Sequence, residues 1–431
     1  MHSDTKGDHR SHGPSVGQAS WVNELNRSRQ PGPSVADHAL PPGLGNSTTA
    51  VHAGSYDDPA TGAVGTPIYQ NSTFILGEDQ YRSIDQGYAR DRFIYTRYGN
   101  PSQWAVQDKI AALEGAESAL VFSSGMAAIA ASVLAMLDRG GHIIASKELY
   151  GGTYALFHHE LPSLGFSVSY VDPRDPEAAR AALRPNTMLL FFEAMTNPLL
   201  NVVDIAAMAK VARDHGAKLM IDATFVSPVC VRPLELGADL VVHSGSKYLN
   251  GHSDLICGAV AGSRKYVDRV WPRLLAYGGC LDPHACFLLE RGLKTLAIRM
   301  RAHEEGARAV AEFLAAHPKV NWLRWSGRFN HPDHALARRQ FRQHSGLVSF
   351  GLRAGDAAAL ALLPALKLMR EATSLGGVET LVSLPFNTSH AAFTVEQRAQ
   401  IGIPPGCVRL SVGIEDPADL IADLEQGLAA I

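Results

Sequence analysis

Between residues 103 and 261, short apolar segments alternate with segments of helical periodicity, and this alternation limits the possible folds. The apolar segments have the length and composition of buried strands. They lie at residues 119–122, 142–145, 167–171, 188–192, 218–221, 240–243 and 256–261. The pattern predicts an α/β fold with a mainly parallel seven-stranded sheet and helices on both faces. Ligands of such sheets bind at the carboxyl ends of the strands.

Composition and pattern divide the chain into four parts. Residues 1–48 are rich in Gly, Pro, Ser and His and lack apolar periodicity, which predicts a flexible arm. Residues 49–102 carry turn signals and no long helix, and residues 103–300 hold the alternating pattern. Residues 301–431 change to long amphipathic helices with a few apolar strands. This last part predicts a smaller C-terminal α+β domain.

Charge and cysteine content narrow the class of protein. A net charge of −3 over 431 residues argues against general affinity for nucleic acid or for an anionic membrane. The five cysteines form no C-x-x-C pair, and their odd number predicts reduced thiols in a cytoplasmic protein. The chain begins without the apolar segment of a secretion signal. An uncharged run at residues 119–137 has the length of a membrane span, but its Ser-Ser-Gly break favours a buried strand, a turn and a helix.

Lys247 stands between two of the apolar segments, in the run HSGSKY at residues 243–248. A lysine is rarely placed in such surroundings unless its amine has a role. One role is a Schiff base with an aldehyde, of which pyridoxal phosphate (PLP) is the common example. The hydroxyls of Ser244 and Ser246 suit its phosphate. Taken alone, the segment slightly favours the alternative of a lysine that reaches solvent from a loop.

Polar residues at the ends of the strands add to the cofactor interpretation. Asp222 ends one strand, where a carboxylate can pair with a protonated pyridine nitrogen or can simply cap a turn. Glu193 and Asn197 follow another strand. Tyr150 can stack on a cofactor ring, although an ordinary core tyrosine explains it equally.

Three further places can hold an anion. The run SSGM at residues 123–126 predicts a capped turn that opens a helix, and the first N–H groups of a helix suit a phosphate. Tyr95 and Arg97 lie in a loop that can bind a phosphate or can be a plain surface turn. Arg409 lies inside an apolar strand and therefore needs an anionic partner, either the carboxylate of an amino acid or an internal salt bridge.

The sequence lacks the motifs of several other classes of enzyme. The chain has no G-x-x-x-x-G-K-[ST], no G-x-G-x-x-G and no complete nucleophile elbow. The His-Glu clusters at residues 158–160 and 303–305 lack metal-ligand spacing, and we interpret them as solvated helix faces. We expect no metal site.

From about Thr49 to its C-terminus, the chain resembles the PLP-dependent trans-sulfuration enzymes. This family includes cystathionine γ-synthase, cystathionine γ- and β-lyases, methionine γ-lyase and the O-acylhomoserine sulfhydrylases. The motifs that carry the resemblance are YTRYGNP at 95–101, SSGMA at 123–127, YGGT at 150–153, TNP at 196–198, SGSKY at 244–248, RGLKTL at 291–296, SLGGVETL at 374–381 and RLSVGIE at 409–415. The resemblance implies the aspartate-aminotransferase-like fold, called fold type I, and PLP as the cofactor.

The resemblance also implies a role for each matching position. Lys247 would form the Schiff base and then move protons at Cα, Asp222 would pair with the pyridinium, and Tyr150 would stack on the ring and assist the leaving group. Further cofactor contacts would come from Gly125, Met126, Asn197, Thr224, Ser244 and Ser246, and substrate contacts from Asn197, Ser374, Leu375 and Arg409. The positions of Tyr95 and Arg97 reach the phosphate of a neighbouring subunit in this family. A homodimer would thus be the minimal active unit, and a homotetramer is usual.

The chain departs from the family pattern at several positions. Ala223 follows the aspartate where asparagine is frequent, and Ala194-Met195 replaces a hydroxyl residue and a proline. Ile94 and Thr373 stand where members that act on cystathionine by γ-chemistry carry acidic residues, which favours a substrate with a smaller or less charged distal group. Gly152 stands where methionine γ-lyases typically have cysteine, which argues against a dedicated member of that type.

The sequence therefore predicts a PLP-dependent enzyme that eliminates or replaces a group on the side chain of a sulfur amino acid or an activated homoserine. An alternative keeps PLP and changes the reaction to transamination or a specialised amino-acid conversion. A third possibility is a PLP-binding scaffold without catalysis. One scaffold hosts β- and γ-elimination and replacement, so the fold alone does not select among them.

Overall fold

The computed structural model describes residues 40–431 except residues 42, 56–57, 59–60, 89, 389–393 and 401. Most of the predicted arm, residues 1–39, lies outside the described residues. The first described helix, Asn46–His52, begins inside the predicted arm. The buried amine of Lys109 donates hydrogen bonds of 3.0 and 3.1 Å to the carbonyls of Ala50 and Val51. These bonds fasten the C-terminal end of that helix to the long helix Pro101–Glu114.

A seven-stranded sheet forms the centre of the larger part of the molecule. Its strands are β1 (Ser118–Phe122), β2 (His142–Ser146), β3 (Ser167–Val171), β4 (Thr187–Glu193), β5 (Lys218–Asp222), β6 (Leu240–Ser244) and β7 (Gly258–Gly262). Their order across the sheet is β1-β7-β6-β5-β4-β2-β3. Strands β2 to β6 pair in parallel, whereas β7 is antiparallel to both β6 and β1. The predicted mainly parallel sheet of seven strands is confirmed.

Helices cover both faces of this sheet, because its side chains alternate between two apolar cores. Leu219 and Ile221 of β5 pack into one core, and Met220 between them packs into the other. The helices of this part are Glu78–Asp85, Pro101–Glu114, Gly125–Met136, Gly151–Ala155, Leu161–Ser163, Pro176–Ala181, Ile205–His215, Ser227–Cys230, Arg264–Tyr277 and Pro283–Lys294, with a π-helix at Leu156–Glu160 and a 3-10 helix at Pro233–Leu236.

A second, smaller sheet follows in the C-terminal part. Its strands are β8 (Val320–Arg324), β9 (Leu347–Leu352), β10 (Arg370–Glu371), β11 (Leu381–Ser383) and β12 (Cys407–Ser411), in the order β10-β11-β12-β9-β8. The helices are Leu296–Ala316, His334–Gln340, Gly355–Ala365, Val395–Gln400 and Pro417–Ala429, with a 3-10 helix at Pro385–Asn387. The first, third and last of these helices share one apolar core with the sheet. The predicted α+β character of this part is confirmed.

Two sequence interpretations are wrong. Ile256 was expected in a buried strand, but β7 begins at Gly258 and the Ile256 side chain is 71% exposed. The reason is that Cys257 bonds to Ser246 through its N–H and its carbonyl, which folds this segment onto the Lys247 turn. His303 was expected on a solvated helix face, but it is fully buried, and its Nδ1 lies 2.8 Å from the carbonyl oxygen of Val412.

The uncharged run at residues 119–137 is divided as predicted. Strand β1 ends at Phe122, and the helix Gly125–Met136 follows after a short turn. Among the described residues, no helix has both the length and the apolar character that crossing a bilayer requires.

Candidate active site

Lys247 lies in the turn that follows β6, at the carboxyl edge of the large sheet. Its amine donates a hydrogen bond of 2.7 Å to the hydroxyl of Ser374, which comes from the C-terminal part of the chain. Burial lowers the pKa of Lys247, and the charge of Arg409 lowers it further. A lysine amine with a lowered pKa is more often neutral at physiological pH, which is the form that attacks an aldehyde or accepts a proton.

The start of the helix Gly125–Met136 lies directly against the end of β6. Ser124 caps this helix, and its hydroxyl accepts a 3.0 Å hydrogen bond from the N–H of Ala127. A Cβ added to Gly125 would lie 2.8 Å from the Cβ of Ser244, so only glycine permits this approach. The helix N-terminus, Ser244 and the nearby Ser246 therefore form a place with N–H and hydroxyl donors that suits a phosphate.

Asp222 ends β5, and its carboxylate accepts hydrogen bonds from Thr224, 2.9 Å from the backbone nitrogen and 2.5 Å from the hydroxyl. The hydroxyl of Thr224 in turn accepts a 2.8 Å bond from the N–H of Ser244. Thr224 thus orients the carboxylate of Asp222 and joins the ends of β5 and β6. Burial raises the pKa of Asp222, although the hydrogen bonds from Thr224 and the charge of His243 act in the opposite direction.

Glu193 of β4 lies beside Asp222, because the two residues pair in register on parallel strands and so share one face of the sheet. Its carboxylate accepts a 2.6 Å hydrogen bond from the backbone N–H of Tyr150. Burial raises the pKa of Glu193 well above its usual range, and the charge of Asp222 raises it further. The sequence placed Glu193 at the end of a strand but indicated no role for it.

Tyr150 begins the short helix Gly151–Ala155, and its side chain is 51% exposed. A Cβ at Gly152 would lie 2.7 Å from the Cε1 atom of the Tyr150 ring and 3.1 Å from the sulfur of Met126. The glycine therefore lets the tyrosine ring approach the backbone of its own loop, close to Met126 of the helix that begins at Gly125.

Arg409 of β12 is buried, and its guanidinium binds two neutral oxygens, one on Asn197 and one on Ser374. One Nη lies 2.9 Å from the side-chain oxygen of Asn197, and the other lies 2.9 Å from the carbonyl oxygen of Ser374. The Nε atom has no partner among the described residues. Burial lowers the pKa of Arg409 to about 10. In the part of the chain that the structure describes, no carboxylate pairs with this guanidinium. A buried cation with a free donor suits an incoming carboxylate.

Among the described residues, no hydrogen bond, ion pair or ring contact joins Tyr95 or Arg97 to Lys247 of the same chain. They line a cavity of about 450 Å³ together with eight other residues, and Lys247 is not one of these lining residues. One guanidinium nitrogen of Arg97 donates a 3.2 Å bond to the carbonyl of Leu275, and the Tyr95 side chain is 42% exposed.

The remaining predicted substrate contacts differ in exposure. Ile94 is half-buried next to Tyr95, and Thr373 is exposed next to Ser374. Leu375 is buried and packs in the apolar core, so its side chain faces away from solvent. The roles of these three residues, like those of the other predicted site residues, stay predictions.

This site defines a class of protein: an α/β enzyme with a desolvated lysine, an anion cradle at a helix N-terminus, a buried aspartate and a buried arginine at one edge of its sheet. The Cys/Met metabolism PLP-dependent enzyme family matches residues 47–429. The chain belongs to this family. The prediction of PLP as the cofactor is confirmed, and the residues described above fit it.

Individual relatives agree with this assignment. An L-methionine γ-lyase of Treponema denticola is 41% identical over 89% of this chain and 97% of its own length. A cystathionine γ-synthase of Mycobacterium bovis is 43% identical over 89% of this chain and 97% of its own length. A crystal structure of cystathionine γ-lyase from Lactobacillus plantarum, complexed with L-serine, has a TM-score of 0.84 at 38% identity and covers 90% of this chain and 99% of its own. The chain is thus a PLP-dependent lyase or synthase of the trans-sulfuration type, which works by γ-elimination or γ-replacement.

Proposed function

We propose that this protein holds PLP on Lys247 and catalyses γ-elimination on a sulfur amino acid with an uncharged distal end, of which methionine is the example. One observation carries the proposal: Ser374 accepts the bond from the Lys247 amine with its hydroxyl and the bond from Arg409 with its carbonyl. Ser374 therefore holds both Lys247, which would move protons, and Arg409, which would bind the substrate carboxylate.

PLP, when bound, withdraws electrons and makes the Cα–H bond of an attached amino acid acidic. Lys247 would remove the proton from Cα and return it further along the side chain, a task that its lowered pKa favours. Asp222 would face the pyridine nitrogen, where its carboxylate stabilises a positive charge. Arg409 and Asn197 would orient the substrate by its carboxylate, and Tyr150 would donate a proton to the departing thiolate.

The proposed substrate class depends on Ile94 and Thr373. Neither residue carries a charge, so neither compensates the distal ammonium group that cystathionine would bring. A methyl thioether has no charge to compensate and leaves as a small thiol.

An assay of released products tests this proposal. The purified holoenzyme is given methionine, homocysteine, cystathionine or O-acetylhomoserine, each with and without an added thiol. We expect 2-oxobutanoate, ammonia and methanethiol from methionine alone, in equal amounts. Turnover of cystathionine at a higher kcat/KM than methionine would contradict the proposed substrate class. No turnover of any of the four would contradict the proposed function.

A second candidate is γ-replacement on an activated homoserine. It is favoured by Gly152, which lacks the thiol typical of methionine γ-lyases, and by the 43% identity to a cystathionine γ-synthase. Its signature in the same assay is a new thioether from O-acetylhomoserine and a thiol, with 2-oxobutanoate suppressed by the thiol.

We also propose that two copies of the chain complete each active site, with a homotetramer as the full assembly. Tyr95 and Arg97 make no contact with Lys247 among the described residues of one chain, but they line a cavity with polar side chains. Large apolar side chains on the same segment face outward, among them Val64, Ile75 and Tyr81. Such a surface suits burial against another subunit, whose phosphate site Arg97 would then reach. The five cysteines, all free thiols, support the proposal of a cytoplasmic location.

A further inference from the structure

Glu148 is a buried carboxylate outside the residues assigned above, two positions before Tyr150. The Ser146 hydroxyl bonds to both the N–H and the carbonyl of Glu148, each at 2.9 Å, which fixes the backbone at this point. Sequence reasoning missed Glu148 because nothing in the local pattern separates it from a surface glutamate.

The carboxylate of Glu148 reaches across to the loop that follows β4. One of its oxygens, Oε2, accepts a 2.6 Å bond from the hydroxyl of Thr196 and a 2.9 Å bond from the amide nitrogen of Asn201. Between these two donors lies Asn197, whose side-chain oxygen binds Arg409. The two donors therefore enclose the residue that would orient the substrate carboxylate.

The loop that carries Asn197 is buried and is restrained by its own backbone bonds and by side chains from other parts of the chain. Its backbone turns back on itself through bonds between Thr196 and Asn201, at 3.0 Å from the Thr196 nitrogen to the Asn201 carbonyl. Leu200 within it adopts a φ of +56°, a conformation that a side chain other than glycine rarely takes. Contacts from elsewhere must hold such a loop in place. Glu148 supplies two of them. The hydroxyl of Ser349 supplies another by donating to the carbonyl of Pro198 at 2.6 Å, and Arg409 supplies a further one through the side-chain oxygen of Asn197.

We propose that Glu148 is a positioning residue that joins the Tyr150 loop to the Asn197 loop, so that cofactor stacking and binding of the substrate carboxylate depend on one buried side chain. This inference rests on the proposed function for the roles of Tyr150 and Asn197. In this proposal Glu148 acts through Thr196 and Asn201 and not by contact with cofactor or substrate.

Suitable variants of Glu148 can distinguish a role of its hydrogen bonds from a role of its negative charge. Both donors bond the same oxygen, so the amide oxygen of a glutamine can accept both bonds. Burial raises the pKa of Glu148, which is consistent with a site that tolerates a neutral side chain. The charges of Asp172 and Arg174 also act on the pKa of Glu148, but burial has the larger effect.

The test compares Glu148→Ala, Glu148→Gln and Thr196→Val with the wild type, and uses Glu160→Ala, an exposed carboxylate on the following π-helix, as the matched control. Apoenzyme is titrated with PLP to obtain its dissociation constant, and the holoenzyme is assayed with methionine for KM and kcat. For Glu148→Ala we expect both the PLP dissociation constant and KM to rise by about tenfold to a hundredfold, because two bonds to a carboxylate are lost, with a smaller change in kcat.

Glu148→Gln and Glu160→Ala should stay within about threefold of the wild type in both constants, and Thr196→Val should lie between glutamine and alanine. The inference is overturned if Glu148→Ala leaves the PLP dissociation constant unchanged, if Glu148→Gln is as damaging as Glu148→Ala, or if the Thr196→Val enzyme matches the wild type in both constants. The PLP titration needs no substrate. It therefore decides the role of Glu148 even if methionine is not turned over, which would count against the proposed function alone.

Discussion

The amine of Lys247 lies 2.7 Å from the hydroxyl of Ser374, a residue 127 positions further along the chain. Ser374 has a backbone φ of +85°, which is rare outside glycine. Two interactions hold it there, the bond from Lys247 and the bond from Arg409 to its carbonyl. Strained backbone of this kind persists where several contacts fix it, and it is frequent at active sites.

Replacing Ser374 by alanine removes the hydroxyl and leaves the lysine amine without its partner. We expect Ser374→Ala to lower kcat/KM by about tenfold to a hundredfold, since a hydrogen bond that involves a charged group contributes about 1.5 to 3 kcal/mol. The visible absorption of the bound cofactor should persist. Ser163→Ala, on an exposed helix, is the control and should match the wild type. A fully active Ser374→Ala enzyme would show that the hydroxyl does not orient Lys247.

Replacing Arg409 by lysine keeps a positive charge but removes the planar pair of donors. Because a carboxylate needs both donors for a bidentate contact, we expect KM for methionine to rise by about thirtyfold or more. Affinity of the apoenzyme for PLP should change little. Arg338→Lys tests for general effects at an exposed arginine. If the substitution at Arg409 weakened PLP binding as much as it raised KM, the residue would have a structural role instead of the proposed one.

The raised pKa of Glu193 should make the free energy of unfolding of the cofactor-free protein depend on pH. The unfolded chain ionises this residue near the usual pKa of about 4.3, whereas burial and Asp222 raise the pKa in the folded state. The folded state therefore binds more protons above that pH, and the stability that Glu193 contributes is present at low pH and lost as the pH rises.

The substitution Glu193→Gln removes the ionisable group and with it the loss of stability at higher pH. We expect the apoenzyme with Glu193→Gln to gain stability relative to the wild type as the buffer changes from about pH 5 to about pH 8, measured by urea unfolding. Glu312→Gln, at an exposed position, should show a constant difference from the wild type over the same range. Parallel curves for Glu193→Gln and the wild type would mean that Glu193 ionises normally in the folded protein.

Mixing two inactive variants tests whether Arg97 serves a neighbouring subunit. One variant carries Lys247→Ala and the other carries Arg97→Ala. A mixed dimer would then have one site with both residues intact and one site with neither. Random re-pairing should restore about a quarter of wild-type activity, because half of the dimers are mixed and each has one complete site. If the mixture has no more activity than the average of its components, Arg97 acts within its own chain or not at all.

Much of the fold follows from local patterns in the sequence. Strand β5 is predicted by its apolar run, and the helix Gly125–Met136 is predicted by the serine cap before it. These signals depend only on neighbouring residues, so they can be recognised without knowledge of the rest of the chain. The prediction for Ile256 was wrong because its neighbour Cys257 bonds to Ser246, eleven positions earlier. A pattern of apolar residues does not indicate such a bond.

The individual site residues could be proposed from the sequence, but their connections could not. Lys247 and Ser374 each belong to a motif, whereas the bond between them depends on how the two parts of the chain pack together. Glu148 has no motif, and its role depends on two donors that approach from another loop. Side-chain contacts between distant loops are set by tertiary packing, which local propensity does not encode.

The measurement that most directly tests the role of Lys247 is the site of cofactor attachment. The purified holoenzyme is treated with borohydride, which makes the bond between the lysine and PLP permanent, and the digested protein is analysed by mass spectrometry. We predict a phosphopyridoxyl group on the peptide that contains Lys247 and on no other lysine peptide. A modified lysine elsewhere, or no modification in a protein that shows bound PLP by absorption, would contradict the assignment of this site.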